Sequence, residues 1–120
     1  MSPEQIVTEF IHNWNHLDWQ AVTDALHEDV VYHNIPMEKI QGKQAAAAFI
    51  TGMQPKAVDW VMLNMASNGN IVLTERIDNF TLANDKLLSL PVMGTFEIED
   101  SKIIAWRDYF DLTTFTSQMA

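Results

Sequence analysis

The chain contains no cysteine. Disulfide staples, thiolate metal sites and thiol nucleophiles are therefore excluded. Positive charge is scarce: five lysines and two arginines face sixteen acidic residues, for a formal net charge of −9. So few cations cannot build a basic patch along a phosphate backbone, which excludes nucleic acid as a partner. No apolar run approaches the roughly 20 residues that span a bilayer, so no membrane partner is expected. Met1, Ser2, Pro3, Glu4 and Gln5 lack the basic opening of a secretory signal, which reads as a cytoplasmic protein. No internal repeat, low-complexity stretch or linker interrupts the chain. What remains is 120 residues that are 48% hydrophobic, enough for one domain over residues 1–120 with one core.

Helices come first and strands later. Ser2, Pro3 and Gln5 combine an N-cap serine, a proline at the first helical position and a capping-box glutamine. Ile6, Val7, Phe10, Ile11 and Trp14 then recur at helical spacing. Asp18 caps a second, short helix whose stripe is Trp19, Val22, Ala25 and Leu26. Residues 27–34 read as a strand that ends before Pro36. Gly42 opens a third helix that runs to Gly52. Beyond Pro55 the pattern becomes a meander with strands at 58–66, 71–82, 87–98 and 103–110. Asn68 and Gly69 supply a strong hairpin signal. Pro91 and Gly94 predict a bulge or bend. Asp111 caps a short terminal helix through Phe115. The fold class is α+β, a curved antiparallel sheet wrapped around three N-terminal helices.

The most informative residues are charges on apolar strand faces. Strand side chains alternate between faces. Asp108 therefore shares a face with Ile104, Trp106 and Phe110, while Ile103 points outward. Arg76 and Asp78 share a face with Val72, Phe80 and Leu82. Tyr32 and Asn34 alternate with Val30 on the first strand. Inward charges are costly unless they pair or serve a function. An Arg-x-Asp pair alone reads as a structural ion pair, but Asp108, Tyr32 and Asn34 on the same concave side read as a site. Two carboxyls bridged by a guanidinium can divide acid and base roles between them. The cavity walls come from matching positions at Phe80, Leu90, Val92 and Phe110, with Phe115 as a lid. Glu75, Arg107 and Tyr109 point away, and His33 is peripheral. His12, His16 and His27 lack ligand spacing. No metal site is expected, because a cation would compete with Arg76. The methionines, Met53 among them, read mostly as core filler, with one or two lining the pocket.

Three segments carry a resemblance. Tyr32, His33, Asn34, Ile35 and Pro36; Thr74, Glu75, Arg76, Ile77 and Asp78; and Trp106, Arg107, Asp108, Tyr109, Phe110 and Asp111 occur in this order. Together they resemble the limonene-1,2-epoxide hydrolase family, whose cone-shaped fold is shared with nuclear transport factor 2 and ketosteroid isomerase. The resemblance implies a cofactor-independent hydrolase that opens an epoxide with water, and a homodimer. It implies Asp108 as base, Asp78 as acid, Arg76 between them, and Tyr32 with Asn34 orienting the water. The apolar walls fit a small cyclic or terpenoid epoxide and disfavour an anionic one. Two rivals share the fold. An isomerase or cyclase would use one carboxylate and leave the triplet unexplained, and a non-catalytic binding domain would need no buried charges at all.

Overall fold

Three of the four helices begin where a side chain satisfies a free backbone donor, and the one that follows Gly42 has no such cap. In the computed structural model, which describes residues 1–120, α1 spans Pro3–Asn15. Its capping box closes both ways: Gln5 N donates to Ser2 Oγ at 3.2 Å and Ser2 N donates to Gln5 Oε1 at 2.8 Å. Such a cap contributes about 1 kcal/mol. Ile6, Val7, Phe10, Ile11 and Trp14 form its buried face. Asp18 caps α2 (Trp19–Asp24) by accepting from Ala21 N at 3.1 Å. Leu26, expected on the stripe of this helix, instead opens β1 (Leu26–Ile35). The last strand captures it: Leu26 pairs with Ile103, whose N–H donates to the Ala25 carbonyl at 2.9 Å.

After β1 come β2 (Ile40–Gln41), α3 (Lys43–Gly52), β3 (Ala57–Asn68), β4 (Ile71–Thr81), β5 (Leu87–Glu99), β6 (Lys102–Tyr109) and α4 (Leu112–Met119). The six strands form one sheet in the order β2-β1-β6-β5-β4-β3. Strands β3 to β6 are the expected antiparallel meander, with Gly69 at φ +62° in its first hairpin. The pairing of β1 with β6 is parallel. The terminal helix runs past Phe115 to Met119, with Asp111 accepting from Thr114 N at 2.9 Å.

The helices sit on one side of the sheet, and the core fills the space between. Residues of α1, Val22 of α2, and Ala46 and Ile50 of α3 pack with Val72, Phe96, Ile98, Ile103 and Trp106. Each large apolar side chain buried there contributes roughly 1.5–3 kcal/mol. Trp14 stacks on Trp60 with centroids 4.3 Å apart. The neighbouring Asn15 clamps the backbone of that same residue. Trp60 N donates to Asn15 Oδ1 at 2.8 Å, and Asn15 Nδ2 donates to Trp60 O at 3.1 Å.

The bends do not lie where Pro91 and Gly94 predict them. The ladder between β4 and β5 runs unbroken from Ile71 opposite Glu97 to Thr81 opposite Leu87. Pro91 is tolerated because β6 has ended at Tyr109, opposite Met93, so no strand lies on its far side. Besides the register shift in β1 between Leu26 and Val31, the extra residues are Leu63 in β3 and Ile104 in β6. The second one reverses the side-chain alternation of β6. Ile103, expected outward, is therefore fully buried, and Ile104 is only partly covered.

Candidate active site

Strand β4 places Thr74, Arg76 and Asp78 on its inward face, and β6 places Asp108 on the same side. All four are buried, with Arg76 at 0% exposure. The guanidinium joins the carboxyls. Its Nε donates to Asp78 Oδ1 at 3.0 Å, and Nη2 donates to Asp78 Oδ2 at 2.7 Å and to Asp108 Oδ2 at 3.0 Å. Nη1 donates to Thr74 Oγ1 at 2.9 Å. Trp60 and Phe96 cover its faces, with ring centroids 5.0 and 5.8 Å from Cζ. The other oxygen of Asp108 accepts from Trp106 Nε1 at 2.8 Å.

Gly94 explains why so much fits in so little space. It stands beside Thr74 on one flank and beside Asp108 on the other. A β-carbon there would run into Arg76 Nη1, Asp108 Oδ1 and Thr74 Oγ1. Its role is clearance for the ion cluster, not a bend.

Burial and charge set opposed tendencies in this cluster. Burial is the largest influence on Asp78, and Arg76 opposes it through hydrogen bonds and charge while Asp108 adds repulsion. The carboxyl is pushed up to about 6. Burial also works against a charged Arg76, but Asp108 and Asp78 overcome it and keep the guanidinium firmly protonated. Burial, reinforced by the charge of Asp108, raises the Tyr32 phenol well above its ordinary range, against a smaller opposing effect of Asn34. The site therefore presents a neutral phenol, a fixed cation, and a carboxyl that holds its proton closer to neutrality than usual.

Asp78 and Asp108 form the polar floor of a cavity of about 100 Å³, with Tyr32 and Asn34 bordering it from β1. Its walls include Phe80, Leu88, Leu90 and Val92 from β4 and β5, and Phe110 and Phe115 around the start of α4. The sequence-expected residues thus meet at one place, except that Arg76 lies behind the aspartates and does not line the cavity. Tyr32 stacks on Trp106 at 4.1 Å without hydrogen-bonding to the ion cluster. Trp60, Met37, Phe49 and Leu88 are wall residues that the sequence reading missed, and Met53 is one of the methionines that line the cavity. Trp60 shares its face with Val58 and is the cross-strand partner of Asp78. That parity was the available signal for it.

The family model described as the limonene-1,2-epoxide hydrolase catalytic domain matches residues 1–120. Epoxide hydrolase EphG of Mycobacterium tuberculosis is 33% identical over 107 residues, covering 88% of this chain and 71% of the relative. The structure of an LEH-like epoxide hydrolase of M. tuberculosis superimposes with a TM-score of 0.85 at 30% identity, covering 95% of this chain and 86% of that one. An NTF2-like protein of unknown function from Cytophaga hutchinsonii shares the fold at a TM-score of 0.76 and 24% identity, with 92% and 91% coverage.

Proposed function

Because the chain belongs to the limonene-1,2-epoxide hydrolase family, we propose that this single domain opens a small apolar epoxide to a vicinal diol in one step. The observation that carries the reading is the Asp78–Arg76–Asp108 triplet, whose two carboxyls floor an apolar cavity. Asp108 takes a proton from water as its oxygen attacks an epoxide carbon. The carbon–oxygen bond breaks, and the leaving oxygen receives the proton of Asp78. The raised Asp78 carboxyl suits the acid role. One proton then passes back from Asp108 to Asp78. Tyr32 and Asn34 orient the water, which is a positional contribution. Base, acid and nucleophile come from side chains and solvent, so no cofactor is required. The cavity, at about 100 Å³, is below the scale of about 150 Å³ that accommodates benzene, so its volume favours the small cyclic end of the range from cyclic to terpenoid epoxides.

Single turnover in heavy-oxygen water, with enzyme in excess over a neutral cyclic epoxide, tests the route. Direct attack places label in the diol on the first turnover. Unlabelled diol with label retained in the protein would establish an aspartyl ester instead and end the general-base reading.

We also propose a homodimer formed through the outer face of the sheet. Val61, Leu63, Leu73, Met93 and Tyr109 are each 40–53% exposed there. Such a patch on a small domain is the signature of an interaction surface. Sedimentation should give twice the chain mass, and Met93→Glu with Leu73→Glu should halve it. A wild-type monomer at assay concentration would refute the dimer.

A further inference from the structure

We propose that Thr74 is a positioning residue for this reaction, acting through its hydroxyl to fix the rotation of the Arg76 guanidinium. The inference rests on the epoxide hydrolase reading and names a group that the triplet alone leaves out. Arg76 has five N–H donors. Three of its bonds go to the aspartates and the fourth, from Nη1, goes to Thr74 Oγ1 at 2.9 Å. The hydroxyl is fixed in turn, because its own proton goes to the Gly94 carbonyl at 3.0 Å. An acceptor that has spent its proton can present only a lone pair to Nη1. The hydroxyl thus has one orientation, and the guanidinium has one rotation that satisfies it. In that rotation Nη2 is the nitrogen that reaches both Asp78 and Asp108.

The register makes this an arrangement of the sheet. Asn34, Asp108, Gly94 and Thr74 are successive neighbours across β1, β6, β5 and β4. One row of the sheet carries a group proposed to hold the water, the proposed base, a residue without a side chain, and the hydroxyl. The gap at Gly94 brings Arg76 Nη1, Thr74 Oγ1 and Asp108 Oδ1 together around its α-carbon. Thr74 is 1% exposed and does not line the cavity, so it acts on substrate only through Arg76.

Thr74→Val keeps the shape and deletes the acceptor, and Thr74→Ser keeps the acceptor. Thr74→Val should lower kcat by about 10- to 100-fold, the scale of a misplaced catalytic group, with KM within about twofold of wild type. Thr74→Ser should recover most of that loss. In an Asp108→Asn background, Thr74→Val should add almost nothing, because groups acting as a unit are non-additive. A merely structural threonine would lower the melting temperature and leave kcat per folded molecule unchanged in both backgrounds. That result would overturn the proposal. A second readout needs no substrate. The Arg76 guanidinium nitrogens should give slowly rotating NMR signals in the wild type and in Thr74→Ser, and averaged signals in Thr74→Val. Slow rotation retained in Thr74→Val would overturn the proposal even if no epoxide were turned over. Slow rotation lost without any epoxide activity in the wild type would refute the functional reading and leave the positioning claim standing.

Discussion

Asp108→Asn should lower kcat by about 10³-fold or more, the scale of removing a positioned general base. The substitution is isosteric. Trp106 Nε1, which donates to Asp108 Oδ1 at 2.8 Å, can still donate to an amide oxygen. What disappears is the ability to accept a proton from water, together with the oxygen that accepts from Arg76 Nη2. Asp78→Asn should be similarly severe for the opposite reason, since an amide cannot deliver a proton to the leaving oxygen. The double variant should be scarcely worse than either single one, because base without acid and acid without base both stall the same step. Circular dichroism and thermal melting would establish that each variant is folded before kcat is measured. An Asp108→Asn enzyme within tenfold of wild type would place the base elsewhere.

Arg76→Ala is expected to be the most destabilising substitution in the site, at roughly 3–5 kcal/mol near neutral pH. It leaves two buried carboxyls facing each other with their shared cation gone. The pH dependence carries the diagnosis. Asp78 is already lifted to about 6 with the guanidinium opposing burial, so without that cation it rises further. A carboxyl whose folded value is raised contributes stability that is fully present below its unfolded value of about 3.9 and is lost as pH climbs through the folded value. The variant should therefore be most stable near pH 4 and lose stability through neutrality more steeply than wild type. Melting temperatures recorded from pH 4 to 8 would check this. A variant that melts at the same temperature across that range would show that Arg76 does not hold the pair.

Why some of this was legible in the sequence is a matter of range. Arg76, Asp78 and Asp108 stand out because two-residue alternation is local, and on β4 it continues unbroken from Val72 to Phe80. Tyr32 and Asn34 follow from the same rule on β1. The rule fails at Ile103 and Ile104, where one extra residue reverses the faces and no turn residue announces it. It is silent on lateral register. Gly94 reads as a kink until Asp108 and Thr74 are known to flank it, and the partnership of Thr74 with Arg76 is meaningful only beside that gap. The parallel pairing of β1 with β6 joins residues more than seventy positions apart, as in Asn34 opposite Asp108. Phe49 and Met53 reach the cavity through the seating of α3 on the sheet, which depends on tertiary packing and not on the helix's own period. Strand β2 has two residues, too few for any alternation to show.

The amide of Asn15 has a bearing on how this protein behaves when crowded. Strand β3 ends the sheet, and a terminal strand is a template on which another chain can build cross-β fibrils. Here Asn15 occupies both main-chain groups of Trp60 that would recruit such a strand. Three residues on, the extra residue at Leu63 breaks the regular spacing that in-register stacking requires. At the other end, β2 is too short to seed growth. The helix that fills the core therefore also guards the rim at one point, where it denies an incoming strand the two main-chain groups of Trp60.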